Sequence, residues 1–433
     1  MKWLKYGYLN GLKLVKQQSS FKKNFISLLT GVVISQVFPL ALMPLLSRLL
    51  TVEAFGEFSL YQSFVILLSV LATLRYEMAI VLPKEEYKAI NLFKASLFIS
   101  LFIALFLVLI FFIFQNLIIH QFNSKYIYIW IFFVPLSVFF NGIIQSSNYW
   151  SSRKAEFKII SISRIILSIS ANVLPLLFLK WIHTEISLII FFIIGQFFTC
   201  GFLIVRYIKV IVFTKKTYST ENRIVKVLKE YKHFPYYNTA SAFLDQLGST
   251  IPLLFVNVFY NAHITGLYGM TIKIISIPAS LISFSLSQVI YKELSEKIKT
   301  QQPLSPIIRR TFKGLCMIGG IPFLLLFVAG PFLFKIFLGN QWQEAGTIAQ
   351  ILSIGYFLKF CISPLSISLP VVHRLKALAL WQVLYFLAGI SIIIVNYCFP
   401  GFQLFCFMLL VADIVLYVYY YNLINKYTKS ISF

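Results

Sequence analysis

The sequence predicts an all-α polytopic membrane protein of about 12 transmembrane helices in two six-helix lobes, and three observations carry that expectation. Of the 433 residues, 59% are Ala, Val, Ile, Leu, Met, Phe, Trp, Tyr or Cys and only 12% are charged. A soluble domain carries roughly 25% charged residues, so with a mean hydropathy of +0.83 a water-soluble multidomain enzyme is excluded. Apolar runs of about 20 residues, the length that crosses the hydrocarbon core, recur along the chain. Finally, the basic residues fall almost entirely in every second connector, although the formal net charge of +24 first suggests nucleic acid as a partner.

Taken in order, residues 1–24 hold six lysines. Trp3, Leu4, Tyr8, Leu12, Leu14 and Val15 fall on one helical arc, with Lys2, Lys5, Lys13 and Lys16 opposite. That is the pattern of a basic amphipathic segment lying in the cytoplasmic interface. The run from Phe25 to Ser47 is too long for a signal-peptide core and reads as the first span. Further spans are expected near residues 58–81, 92–115, 127–147, 159–179, 186–205, 234–259, 266–289, 314–337, 346–371, 377–398 and 402–424. The longest connector, 206–233, is basic and has Ile224, Val225, Val227 and Leu228 among Arg223, Lys226, Lys229 and Lys232, so it is expected to lie in the interface as well. It separates an N-lobe (25–205, spans one to six) from a C-lobe (234–433, spans seven to twelve). Of the 38 Lys and Arg residues, 30 lie on the side of the termini and this linker, four on the other side and four inside spans. By the positive-inside rule both termini are cytoplasmic, and the excess charge sets topology and attracts an anionic leaflet, leaving no role for nucleic acid.

Sliding the second half back by 210 residues superposes Gln246 on Gln36, Gly266 on Gly56 and Glu296 on Glu86. A parallel repeat about an axis along the membrane normal follows, with a substrate path between the lobes. The outer connectors are at most 13 residues long, too short to build the acceptor platform of a sugar polymerase or ligase. Glu53 and Glu57 in the first of them read as solvated flanks. There is no phosphate-cradling G-x-x-x-x-G-K-[ST] run, the five histidines are not paired at metal spacing, and the five cysteines form no C-x-x-C. No metal or cofactor is expected, and a channel, receptor or secondary transporter remains.

Seven ionisable residues interrupt the spans: Arg75, Glu77, Arg164, Asp245, Lys273, Lys359 and Asp413. Intramembrane charges face a bundle interior or a wet cavity and mark a pathway. Arg75 and Arg164 lie close enough to the cytoplasmic boundary to snorkel as an alternative. Asp245 and Lys273 sit on consecutive antiparallel spans. Their pairing is either a static pin or a bridge that opens when the carboxylate takes H+ or Na+. Gln36, Gln62, Asn238, Gln246, Asn257 and Gln288 are further candidates for lining the path or joining helices. Prolines in spans one, seven and eight (Pro39, Pro44, Pro252 and Pro278) offer points for rocking.

The stretch Gly31 to Pro83 resembles the opening of Wzx-type O-antigen and oligosaccharide flippases of the polysaccharide-transporter family, in the MOP exporter superfamily. Three parts carry the likeness: the Gln36 region, LLSRLLTVEAFGEFSLY (Leu45 to Tyr61) and LRYEMAIVLPKEE (Leu74 to Glu86). The resemblance implies a MATE-like fold and movement of undecaprenyl-diphosphate-linked oligosaccharide repeat units between leaflets of a bacterial inner membrane by alternating access, driven by an ion gradient. It also implies a cationic substrate cavity, with Arg48, Arg75 and Glu77 at the family's recurrent charged positions and Arg164, Lys273 and Lys359 similarly placed; Gln36 and Gln246 are expected to line it as polar span residues, and Asp245, Asp413 and Glu77 are read from their own placement as ion-coupling sites. Partners expected on this reading are the lipid-linked glycan, membrane lipids, a polysaccharide polymerase and a chain-length regulator. A drug exporter of the same fold and a non-transporting scaffold of a polysaccharide assembly complex are the alternatives.

Overall fold

A computed structural model describes residues 31, 33–178, 185–212, 221–372 and 374–429, which hold helices, turns and no strand. The expected amphipathic segment at 1–24 lies outside the described residues. The first half supplies α1 (Val33–Leu49), α2 (Val52–Ser69), α3 (Glu86–Gln121), α4 (Phe133–Arg153), α5 (Phe157–Phe178) and α6 (Ser187–Val212). The linker contributes α7 (Glu221–Glu230). The second half supplies α8 (Ala240–Phe259), entered through a π-helical turn at Phe234–Thr239, then α9 (Ala262–Lys299) and α10 (Ser305–Leu338). After these come α11 (Gln343–Ile362), α12 (Leu375–Cys398) and α13 (Phe402–Lys429).

Eight of these helices, α3, α5, α6, α8 with its lead-in, α10, α11 with its flanking turns, α12 and α13, are long and apolar enough to cross a membrane. The chain is a multi-pass membrane protein. Helices α2, α4 and α9 are more polar because they sit inside the bundle, where side chains pair with one another instead of facing lipid. On α4, Ser137 exchanges hydrogen bonds with Tyr61 of α2 and Gln196 of α6, and Asn141 Nδ2 donates to Ser69 Oγ at 2.9 Å. Bare apolar side chains such as Phe98, Phe102 and Phe112 of α3 instead face outward.

Helices α3 to α6 pack mainly within the first half and α8 to α13 within the second, while α2 packs most heavily across the divide, on α9 and α8. That crossing repeats the 210-residue offset of the sequence. Thr51 caps α2 by accepting from Ala54 N, and Asn261 caps α9 by accepting from Ile264 N. A Cβ on Gly56 would collide with the Ala262 carbonyl oxygen, and one on Gly266 would collide with that of Val52. Glu53 Oε1 meets His263 Nδ1 at 2.7 Å, and Ser59 fills the space beside Gly269. Each pair joins a residue to the counterpart of its own neighbour or to its own counterpart, so the two hairpins are related by a local two-fold.

Further contacts close this short-turn end. Ser47 Oγ donates to the Leu338 carbonyl at 2.9 Å, Trp342 Nε1 donates to the Ser47 carbonyl at 2.9 Å, and Asn123 reaches the Val258 and Tyr260 carbonyls. Glu57 corrects the expectation of a solvated flank. It is 1% exposed and accepts from Ser124 Oγ (2.6 Å), Trp130 Nε1 (2.7 Å) and Lys125 N (3.1 Å), clamping α2 to the connection between α3 and α4. At the opposite, linker end, α7 packs against the first half. Val227 is buried with residues of α3, Lys88 Nζ bonds Glu230 at 2.9 Å, and Tyr76 Oη donates to the Leu228 carbonyl.

The expected continuous span at 58–81 is broken. Helix α2 ends at Ser69, residues 70–75 run through turns, and Leu74 and Arg75 adopt positive φ values of 49° and 61° before the short helix Tyr76–Ala79. Such backbone is disfavoured for side chains with a Cβ, and a membrane protein holds it only where protein or a cavity surrounds it.

Gly56→Ala and Gly266→Ala should each cost about 1–3 kcal/mol by forcing the crossing apart. The double variant should fall short of the sum, since either methyl already separates the helices. Thermal unfolding in detergent reads both effects. Glu57→Ala strands buried donors, each costing about 1–3 kcal/mol, so the same measurement should show a larger loss than for Glu57→Gln.

Candidate functional site

Beside the Ser59–Gly269 contact, a cavity of about 290 Å³ opens between α2, α8 and α9. Phe58, Gln62, Gln246, Lys273, Lys359 and Asp413 are among its walls. A second cavity, also about 290 Å³, shares Phe58, Gln62 and Lys273 with the first and extends into the first half beside Arg164 of α5. A third, about 380 Å³, shares Lys359 and Tyr385 with the first and extends into the second half beside Asp245, Trp381 and Gln382. The three make one row across the molecule. Arg164, Lys273, Lys359, Gln246, Asp245 and Asp413, which lie on α5, α9, α11, α8 and α13, come together in it.

The charges divide into two kinds. Asp413 on α13 is 7% exposed and its Oδ1 accepts from Tyr385 Oη at 3.1 Å, with Lys359 in electrostatic reach. Asp245 Oδ1 accepts from Gln382 Nε2 at 3.3 Å and feels Lys359 and Arg75. By contrast, Lys273 has no carboxylate in reach among the described residues; its Nζ lies 5.6 Å from the Phe58 ring centre. Arg164 is likewise without an acidic partner among the described residues. The expected Asp245–Lys273 pairing therefore does not form, because Asp245 turns toward α12 and Lys273 toward α2. An unpaired cation between low-dielectric walls attracts an anion strongly, on the order of 4 kcal/mol at 4 Å for an effective dielectric of about 20.

Three of the residues expected to line the cavity sit elsewhere. Arg48 is exposed at the short-turn end, where its guanidinium donates to the Ile336 carbonyl at 2.8 Å, so it tightens the closed end and lines none of the three cavities. Arg75 stands at the break after α2, its NH1 3.8 Å from Glu77 Oε1, and Glu77 is fully buried with Thr73 Oγ1 donating to it. Gln36 is half-buried on α1, where its neighbour Ser35 and not Gln36 lines the second cavity. Gln246, which does line the first cavity, spends its amide on Ser249 and Thr250 of its own helix, both at 3.0 Å.

An aromatic wall adds to the expected residues. In the third cavity Trp381 stacks on Tyr420 (centroids 4.2 Å, 14° between planes) and on Tyr385 (5.3 Å, 29°). The i, i+4 spacing of Trp381 and Tyr385 is its only trace in the sequence, hidden among 17% aromatic residues.

A family model described as polysaccharide biosynthesis protein matches residues 45–347. No curated protein matches the chain by sequence. Among solved structures, a lipid II flippase, MurJ, in an inward closed conformation superposes with TM-score 0.68 at 18% identity, covering 94% of this chain and 90% of that one. A multidrug resistance MATE family transporter of the MOP superfamily, inward-facing, gives TM-score 0.63 at 15% identity, with 93% and 94% covered. The eukaryotic MATE transporter AtDTX14 gives 0.60 at 14% identity, with 97% and 98% covered. At these identities the likeness speaks for the fold, which the chain shares with these proteins, and the family match spans most of the chain: the protein belongs to the polysaccharide biosynthesis family.

Proposed function

We propose that this protein flips undecaprenyl-diphosphate-linked oligosaccharide repeat units from the cytoplasmic to the periplasmic leaflet of a bacterial inner membrane. The observation that carries the reading is the pair of cations, Arg164 and Lys273, that lack a carboxylate partner among the described residues and face a row of cavities between the two sets of helices. A diphosphate supplies the missing counter-charge, while a cationic drug would meet repulsion there. The stacked rings of Trp381, Tyr385 and Tyr420 offer apolar faces to sugar rings farther along the row.

On this reading the molecule has 12 spans in two six-helix lobes, and both termini face the cytoplasm with the linker. The positive-inside distribution of Lys and Arg supports that orientation. The linker end is then cytoplasmic, and closure at the short-turn end makes this an inward-facing state. The polyprenyl chain stays in lipid, the diphosphate enters against Lys273 and Arg164, and the lobes rock about the α2–α9 crossing. Coupling to H+ or Na+ falls to Asp413 and Asp245, which share Lys359 as counter-charge, with Glu77 a further acid at the broken span. A polysaccharide polymerase and a chain-length regulator would receive the product.

The purified protein in liposomes, with a lipid-linked oligosaccharide and a leaflet-accessibility readout, tests the reading. Arg164→Gln and Lys273→Gln should each slow flipping about tenfold or more, which is about 1.4 kcal/mol, with the thermal midpoint unchanged because neither leaves a protein group unpaired. Normal flipping by the double variant would sink the assignment. Lys359→Gln should instead lower the midpoint, since it strips the compensating charge from Asp413. Asp413→Asn and Asp245→Asn should remove dependence on an imposed H+ or Na+ gradient.

A further inference from the structure

Away from the central row, a groove of about 460 Å³ opens on the outer face of the first half, between α3, α4 and α6. Phe98 and Leu101 of α3, Phe139 and Ile143 of α4 and Ile204 of α6 form its apolar walls. Phe98 is 66% exposed and Leu101, Ile204 and Ile208 are also uncovered, so in a membrane this face meets acyl chains.

Lys94 brings a cation to this groove, with Ser147 beside it as a polar lining residue. Lys94 lies eight residues into α3, about 12 Å along the helix at 1.5 Å per residue. It is 8% exposed, and among the described residues it has no carboxylate partner. Four other cations at the linker end have partners. Lys88 bonds Glu230, Lys154 bonds Glu86, Arg206 bonds Glu156, and Arg153 donates to the Ile80 and Pro83 carbonyls. A lysine held in an apolar membrane groove is costly unless an anion joins it, and the groove opens to lipid.

We infer that this groove binds one anionic phospholipid from the linker-side leaflet, its phosphate on Lys94 and the Ser147 hydroxyl and one acyl chain along Phe98, Leu101 and Ile143. Charge complementarity fixes the occupant. A buried cation at the head of an apolar trough suits one phosphate with a chain attached. The other lining residues are apolar and give the sugars of a glycolipid nothing to bond.

The test is native mass spectrometry of the full chain in detergent, titrated separately with phosphatidylglycerol, phosphatidylcholine and undecaprenyl phosphate. The wild-type protein should retain a single phosphatidylglycerol adduct under collisional activation and retain phosphatidylcholine at least fivefold less. Lys94→Gln should weaken the phosphatidylglycerol adduct at least fivefold. Ile143→Trp, which fills the trough and leaves the charge, should do the same, so a folding failure of one variant leaves the other decisive. Lys88→Gln, a rim cation already paired, should change nothing. An adduct unaffected by both groove variants would overturn the site, and Lys94-dependent retention of undecaprenyl phosphate without phosphatidylglycerol would overturn the choice of lipid.

Discussion

Everything in this architecture hangs on backbone meeting backbone where α2 crosses α9. Gly56 and Gly266 remove the side chains that would hold the two helices apart, each placing its Cα against a carbonyl of the other helix. In a bilayer, helix association gains little from the hydrophobic effect and rests on close packing of small residues. The caps at Thr51 and Asn261, the Glu53–His263 contact and the Ser59–Gly269 fit are arranged around that point. The first cavity opens beside that point, between α2, α8 and α9.

Several cations near the linker end and at the short-turn end have carboxylate or carbonyl partners: Lys88, Lys154, Arg206, Arg153 and Arg48. Those facing cavities, Arg164 and Lys273, and the one facing the lateral groove, Lys94, have no carboxylate partner among the described residues. Folding alone offers no compensation for leaving them so. On the readings proposed above, a diphosphate at the cavities and a phospholipid at the groove would complete their energetic balance.

Much of the helix layout was legible because apolar length is a strong signal, and a charge inside an apolar run stands out, as Asp245, Lys273, Lys359 and Asp413 do. The 210-residue offset was legible through Gly56 and Gly266, whose contact explains why both are glycine. Other features left no local mark. The break at residues 70–75 contains neither Gly nor Pro and reads as uninterrupted helix. The resemblance at Arg48 does not fix which way its side chain turns, and that side chain meets the Ile336 carbonyl. Glu57 looked solvated because its three donors come from residues 67 to 73 positions away. At the edge of a span, Lys94 is indistinguishable by sequence from the connector cations that set topology.

The broken helix after Ser69 has a mechanical meaning. A continuous rod carries a tilt at one end undiminished to the other, whereas two segments joined by left-handed residues can change their mutual angle at that joint. Leu74 and Arg75 already occupy the sparsely populated backbone region, so small rotations there exchange one uncommon conformation for a commoner one. The first half thus possesses an articulated strut. Its upper segment is locked into the glycine crossing, while its lower segment is buried against α3 and α4 and tied through Tyr76 to α7.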